Sequence, residues 1–411
     1  MLIENISDKK GEIMAEWKNY TLEEVCERIY SGGTPSTKHE EYWNGDIKWL
    51  SSGETSQRFV YDTERKITKR GVENSATKLA TKGCTVVATA GQGYTRGQAS
   101  FLMTDTYMNQ SVIACKANEN VILPLYLYYN LDSRYEEIRL LSDGTSTRGG
   151  LSGWILKRME IKLPPKSLQK KVVDILYSID RKIEENNAIN NNLAEQSQAI
   201  FAEFMCKYPY VLSPLGDMAE IIDCLHSKKP KSVNDTTYQL LQLNNITDSG
   251  FLDLSSKYYI SKSDYENWTR KCEIVEGDCV ITNVGRIGAV SQAPNGTHAA
   301  MGRNMTCIRL RKDKPFYSYL ITALLSPHIR REIMKNTDEG TIMGALNVKN
   351  IPLLLFPMFA PPTMNALEDL LSPIRKAIEQ NYLSNQTLSL LRDSLLPRLM
   401  SGELDVSSID L

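Results

Sequence analysis

"ITKRGVENSATKLATKGCTVVATAGQG" (Ile67–Gly93) and "ISKSDYENWTRKCEIVEGDCVITNVGR" (Ile260–Arg286) lie over each other. Each runs from a polar segment to a glycine, then an apolar strand, then a loop of small residues. Gly83, Val86, Val87 and Gly91 stand where Gly277, Val280, Ile281 and Gly285 stand. Working outward, "MNQSVIACK" (from Met108) falls over "RNMTCIRLR" (from Arg303). "DGTSTRGGLSGWILKRMEIKLPP" (from Asp143) falls over "EGTIMGALNVKNIPLLLFPMFAPP" (from Glu339). A proline pair closes each unit, Pro164 with Pro165 and Pro361 with Pro362, and a long helical pattern follows. Two copies are too few for a solenoid; a tandem duplication is the simpler account, each copy a globular part of roughly 150 residues and a helix.

The helices carry the clearest periodicity. The first seam is Val172, Leu176, Ile179, Ile183, Asn186, Asn190, Leu193, Ser197, Ile200, Phe204. The second is Leu367, Leu371, Ile374, Ile378, Asn381, Asn385, Leu388, Arg392, Leu395, Leu399. Alternating steps of three and four are the heptad rule for paired helices. Asn186 and Asn190 share their phase with Asn381 and Asn385. A polar residue in such a seam costs stability and penalises slipped registers. The proline pairs suit a first helical turn, where the missing N–H is harmless. Pro373 falls inside the second pattern and predicts a break or kink, with residues 363–371 as a separate short helix. In the globular parts, strands such as "TVVATA" and "CVITNV" do not alternate regularly with helices, which predicts an α+β fold.

A chain of 411 residues is too long for one core. Its hydrophobic content of 42%, charged content of 24% and net charge of −1 are those of a folded soluble protein. They argue against a uniformly basic nucleic-acid binder and leave room for a local basic patch. The longest apolar run, "IPLLLFPMFAPP" (Ile351–Pro362), falls short of the ~20 residues that cross a bilayer. The N-terminus has no apolar signal core, so a cytoplasmic protein with no membrane contact is expected, with Met14 an alternative start to Met1. Eight cysteines without a CxxC pair read as small buried residues in a reducing compartment, and four histidines give little for zinc.

A search for chemistry finds little. "VVATAGQGYTRG" sets glycines after a strand, but another strand and a turn follow where a dinucleotide fold needs a helix. "YDTERK" (Tyr61–Lys66) has nuclease-like spacing and reads as a charged loop. There is no HExxH, Walker loop or serine elbow, and His39, His226, His298 and His328 stand in no recognisable catalytic setting. No catalytic or metal-binding residue is expected, and binding remains. Two similar domains on a strut can read two sites at a fixed separation: ~35 helical residues at ~1.5 Å each span about 50 Å, against about 34 Å for a DNA turn. This requires antiparallel pairing of the helices.

Three stretches then carry a resemblance. "GGTPSTKHEEYWNGDIKWLSSGE" (Gly32–Glu54), "LPP…LQKKVVDIL" (Leu163–Leu176) and "LLPRLMSGELDV" (Leu395–Val406) resemble the specificity subunit of type I restriction–modification systems. The likeness runs over nearly the whole chain from about Trp17 and includes the duplication. It implies an N-terminal extension (1–16), a first target recognition domain (17–165), a first spacer helix (166–207), a second recognition domain (208–362), a second spacer helix (363–401) and a tail (402–411). Each domain is expected to read half of a split double-stranded DNA target. The helices would pair as an antiparallel coiled coil, fix the gap and dock two modification subunits. Those subunits would carry S-adenosylmethionine and methylate adenine. Restriction subunits would add ATP and magnesium, and this subunit would hold no cofactor. The second unit lacks "GGTPS" and has "CLHSKKPKSVND" (Cys224–Asp235) instead, so its half-target should differ.

Contacts to DNA are expected from loops rich in glycine, polar and cationic residues. In the first domain these are Thr34, Ser36, Thr37, Lys38, Gln92, Tyr94, Arg96, Thr145, Ser146, Thr147 and Arg148. In the second they are His226, Ser227, Lys228, Lys229, Lys231, Asn283, Arg286 and Arg303. Trp43 and Trp49 should pack under the first loop. Two other readings stand beside this one: a two-armed scaffold without DNA readout, and a nucleotide-binding enzyme using the glycine-rich loops.

Overall fold

The computed structural model describes residues 17–91, 93–143, 151–338 and 344–409. The chain divides into two compact units, one running through Arg181 and resuming at Leu388, the other spanning Lys182–Thr387.

The first unit opens with β1 (Lys18–Thr21) and α1 (Leu22–Val25), where the Glu24 carboxylate accepts from the Thr21 N–H at 2.6 Å. Then come β2 (Cys26–Ser31), β3 (Trp43–Leu50), β4 (Phe59–Val60), β5 (Arg65–Ile67), α2 (Lys69–Glu73) and β6 (Lys78–Ala80). β7 (Thr85–Ala88), β8 (Ala99–Leu102), β9 (Thr106–Met108) and β10 (Val112–Ala117) follow. After them come α3 (Pro124–Ser133), α4 (Tyr135–Asp143), α5 (Gly153–Lys157), β11 (Glu160–Leu163) and the long α6 (Lys166–Lys207), whose residues after Arg181 belong to the second unit. One sheet has the order β2-β10-β7-β8-β4 and a second β5-β3-β9-β6, while β1 pairs antiparallel with β11.

The second unit holds β12 (Tyr210–Pro214), β13 (Ala219–Asp223), β14 (Gln239–Leu240), α7 (Lys262–Trp268), β15 (Glu273–Val275), β16 (Cys279–Thr282) and β17 (Val290–Gln292). β18 (His298–Ala300), β19 (Met305–Leu310), α8 (Tyr317–Leu325), α9 (Pro327–Lys335), β20 (Thr337–Asp338), β21 (Ala345–Leu346) and β22 (Leu355–Phe359) follow, then α10 (Pro361–Ser401), whose residues from Leu388 belong to the first unit. Its sheets run β13-β19-β16-β17 and β14-β18-β15, and β12 pairs antiparallel with β22.

The duplication is therefore topological. β9 takes β3 in parallel and β6 antiparallel; β18 takes β14 in parallel and β15 antiparallel. Gly83 and Gly277 hold the same left-handed turn, at φ 90° and 85°. Thr89 donates to Ser111 O and accepts from Leu151 N–H, as Asn283 does with Asn304 O and Leu346 N–H. One overlay needs correction. The sequences place Val112 on Cys307, but Val112 faces Ala88 while Met305 faces Thr282 in the matching ladders. The slip is two residues, from Cys307 to Met305. A two-residue slip keeps every side chain on its face, so alternation cannot reveal it.

β7 (TVVA) and β8 (ASFL) are wholly buried, as short β-branched and apolar runs should be at the centre of a sheet. Tyr126, Leu127, Tyr128 and Leu131 of α3 pack there with Leu176 of α6 and with Leu396 and Leu399 of α10. In the second unit Leu320 and Leu324 of α8 pack with Phe201 and Phe204 of α6 and with Leu367 and Leu371 of α10. Seven cysteines are buried and Cys206 is exposed; none is bridged. Among the described residues, no helix is long and apolar enough to cross a membrane.

No residue of either proposed seam is exposed. The expected break at Pro373 is absent: α10 runs unbroken through 41 residues. Pro373 lies on the exposed face, while Leu367, Leu371 and Ile378 on the opposite face are buried. Water can satisfy the Asp369 carbonyl that the proline deprives of its partner, and core packing on both sides of the proline holds the helix.

Candidate nucleic-acid interface

After β2 the chain enters the loop Gly32–Lys38, whose backbone is pinned from below. Gly33 N–H donates to Met108 O at 3.0 Å. The Trp49 indole donates to Gly33 O at 3.3 Å, and the Trp43 indole to Ser36 O at 3.2 Å. The two indoles meet edge to face at 5.1 Å, and the Arg65 guanidinium lies 3.9 Å over Trp43. A Cβ on Gly32 would stand 1.9 Å from Met108 O, and one on Gly33 2.7 Å from the Ala76 backbone. Both glycines are demanded by close approach. Pro35 is buried, whereas Thr34, Ser36, Thr37 and Lys38 are exposed. Thr34 donates its hydroxyl to Gln110 Oε1. The far end of the motif is structural: Glu54 is buried and accepts from Ser51 N–H at 3.2 Å and Glu64 N–H at 3.0 Å.

The second loop of this unit is held by α4. Arg139 donates to Gly93 O at 2.6 Å and the Tyr135 hydroxyl to Tyr94 O at 3.0 Å. Tyr94 is 79% exposed, and Arg96 is half-buried. Gln92, Thr145, Ser146, Thr147 and Arg148 lie outside the described residues.

In the second unit His226, Ser227, Lys228, Lys229 and Lys231 are all exposed on one segment. Tyr258 anchors it, donating to Pro230 O at 2.8 Å and carrying the Lys229 ammonium 3.8 Å over its ring. His226 Nε2 lies 2.8 Å from Asp223 Oδ2. Lys229 and Arg303 come together on one cleft of about 320 Å³, with Gln242, Asn244 and buried Trp268 in its wall. Arg286 is exposed but bonded to Ile246 O at 3.0 Å and paired with Asp248. Asn283 departs from the expectation. It is buried, donates to Leu346 O at 3.0 Å and accepts from the Thr306 hydroxyl at 3.0 Å, so its amide serves the fold.

The four seam asparagines form a ladder inside the second unit. Asn186 donates to Asn385 Oδ1 at 2.8 Å, and Asn381 to Asn190 Oδ1 at 2.9 Å. Numbers rise on one helix as they fall on the other, so the pair is antiparallel. Cys272, Cys307 and Asp278 are the best-buried cluster of metal-ligand types. Arg309 occupies the Asp278 carboxylate at 2.8 Å and lies 3.6 Å from Cys272 Sγ, which sets a fixed positive charge where a cation would go. The hydrogen bond from Cys307, with that guanidinium, holds the Cys272 thiol below its usual range.

Residues 14–195 match a family model described as the type I restriction modification DNA specificity domain. Over 436 aligned positions the chain is 23% identical to the MjaIX type I restriction enzyme specificity subunit of Methanocaldococcus jannaschii, covering 97% of this chain and 96% of that one. The chain is similar to type I restriction–modification specificity subunits along nearly its whole length, and its residues 14–195 carry the match to their DNA specificity domain. The EcoR124I/EcoR124II specificity subunit of Escherichia coli is 31% identical over 180 residues, 43% of each chain. The crystal structure of the type I restriction–modification S subunit from M. genitalium shares the fold, with a TM-score of 0.55 at 14% identity over 93% of this chain and 96% of that one.

In this chain the family-like motif is part scaffold and part exposed loop. Its glycines, tryptophans and Glu54 hold the loop, while Thr34, Ser36, Thr37 and Lys38 face outward together with His39, Glu40, Glu41, Asn44 and Asp46. Sequence reading missed Gln110, Arg65 and Tyr135 as supports, and Gln242, Asn244 and Trp268 as walls of the second cleft. Nothing in their local pattern marks them; each acts across a long gap in the chain.

Proposed function

We propose that this specificity subunit reads a split double-stranded DNA target, one half through residues 17–165 and the other through residues 208–362. The reading rests on one observation: a single fold occurs twice, and each copy carries exposed polar and cationic side chains on loops whose backbone is fixed by internal hydrogen bonds. Fixed backbones suit recognition, because ordering a loop on binding would subtract from affinity. Lys38 and the run Lys228, Lys229, Lys231 suit phosphates; Thr34, Ser36, Thr37, Tyr94, Arg96 and Arg303 suit base edges and sugars. Asn283 is left out because its amide is spent inside the fold.

The chain supplies no chemistry of its own in this reading. Two modification subunits holding S-adenosylmethionine methylate adenine, one at each half-target. Restriction subunits holding ATP and magnesium act on the assembled complex. The long helices hold the gap between the halves, and the asparagine ladder fixes their register. The assembly works in the cytoplasm.

Methylome sequencing tests this in cells expressing the chain with an active modification subunit, against cells lacking the chain alone. The expected result is one split motif, methylated on opposite strands of its halves, that disappears with the chain. Replacing residues 17–165 by the matching domain of a relative should change one half of the motif and leave the other. An unchanged motif after that exchange favours a scaffold and rejects direct readout.

A further inference from the structure

Each long helix seats a globular part at one position of the repeat, and the two seats carry opposite charge. In the first unit the seat is Asp180 of α6, which is 2% exposed. It accepts from Arg392 Nη1 of α10 at 2.9 Å and from the Tyr129 hydroxyl of α3 at 2.7 Å. The guanidinium of Arg58, just ahead of β4, stands 3.2 Å from its Oδ1. Arg58 also reaches Asp132 of α3 at 2.9 Å and lies 5.5 Å from the Tyr128 ring centre. Two arginines and two aspartates meet here, Arg392 also pairs with Asp393 at 2.8 Å, and Arg58 Nε makes no hydrogen bond. A buried carboxylate stripped of such partners would be strongly destabilising.

The repeat assigns the counterparts. The seam matches Ile179 to Ile374, so Asp180 answers to Arg375 of α10, and it matches Arg392 to Ser197 of α6. Phe101 N–H donates to Arg58 O at 2.8 Å, and Gln292 N–H donates to Gly250 O at 3.0 Å, so Arg58 answers to Gly250. Ser133 and Ser326, which follow Asp132 and Leu325, match those two residues. In the second unit, then, the arginine comes from the helix. Arg375 donates to Gly250 O at 2.6 Å and to Gln292 Oε1 at 2.9 Å, and its guanidinium lies 3.3 Å over Phe251. Among the described residues no carboxylate pairs with it. Gly250 has φ +76°, and a Cβ there would meet Leu325 Cδ1 at 3.1 Å and Arg375 Nη1 at 3.3 Å.

We propose that the two seats form a charge key: the Asp180 seat takes a globular part with arginine ahead of its edge strand, and the Arg375 seat one with glycine there. A domain of the first kind moved to the second seat sets Arg58 against Arg375. A domain of the second kind moved to the first seat takes Arg58 from Asp180. The key limits which recognition domains can be exchanged, because a transplanted domain must carry the residue its seat requires. It stands apart from what either domain reads.

The test is hydrogen–deuterium exchange on the full-length chain. D180R gathers three arginines at the first seat. The triple variant R58G/D180R/R392S gives that seat three of the matched residues of the second and keeps Asp132 as a partner for the new arginine. D180R is expected to raise exchange across the first unit about tenfold or more, with residues 208–362 unchanged. The triple variant is expected to return to within about threefold of the parent. A triple variant as loose as D180R, or one that fails to fold, overturns the key. So does a D180R protein with parental exchange.

Discussion

The side-chain amide of Asn186 donates to Asn385 Oδ1 at 2.8 Å, and Asn385 passes its own N–H to Asn187 Oδ1 at 2.8 Å. Asn186 is 2% exposed, so water cannot replace Asn385 as its partner. N385L should therefore cost about 1–3 kcal/mol, the penalty of a buried amide left unpaired. N186L/N385L removes both polar groups and should recover that loss or exceed the parent, while releasing the register. Urea unfolding of the full-length chain gives the stabilities, and the methylated motif gives the gap. Broadened spacing in the double variant is expected. Unchanged spacing with unchanged stability would remove the ladder from any role in register.

Gly32 and Gly53 make a matched pair of probes in one motif. A Cβ at Gly32 would drive into the Met108 carbonyl at 1.9 Å, whereas at Gly53 it would meet only Ser51 Oγ at 3.8 Å. G32A must displace backbone and should lose several kcal/mol, on the order of a badly overpacked core site. G53A should stay within about 0.5 kcal/mol of the parent. Thermal unfolding distinguishes them, and equal effects would contradict the close approach of the loop to β9.

The family likeness, the duplication and the α+β class were legible in the sequence because heptads, glycine turns and strand runs are local patterns. What escaped was set by distance or by exposure. Pro373 reads as a break because the sequence does not show the core packing that holds the helix on both sides of it. Asn283 reads as an exposed loop residue because a small polar side chain at a strand end looks alike whether it faces in or out. Arg58 and Asp180 are 122 positions apart, and nothing near either announces the other. The outward face of the first loop was partly legible, since its tryptophans marked it as held from below.

Trp49 should act on recognition without touching DNA. W49F keeps the aromatic bulk and loses the bond to Gly33 O, at a cost of about 0.5–1.5 kcal/mol in stability. The loop then loses one of its fixed points. Discrimination at the first half-target should weaken, while the salt dependence of binding stays as in the parent. Affinity measured across a salt series with the assembled modification complex checks both. A reduced slope would show that Trp49 lies at the phosphates.

Lys38 and Lys229 should behave in the opposite way. Each is exposed and cationic, in the first and second unit respectively. K38A and K229A should each weaken binding nearly uniformly across sequences and reduce the magnitude of the salt slope by about 1, as the loss of one phosphate contact does. Their effects should add, because the two act on separate half-targets. A variant that changes sequence preference without changing the slope would move that lysine from the backbone to a base edge.

Pro373 tests whether a helix defect is tolerated or used. An interior proline costs about 3 kcal/mol, and its exposed position lets water recover part of that. P373A restores an N–H for the Asp369 carbonyl and relieves the ring's clash with it, so stability should rise by about 1–3 kcal/mol. Urea unfolding of the full-length chain reads the shift. A fall in stability would carry a different meaning. Arg375 lies two residues on and must reach Gly250 O and Gln292 Oε1 together. A less stable P373A protein would then show that the proline's geometry aims that guanidinium, and exchange over residues 208–362 would rise with it.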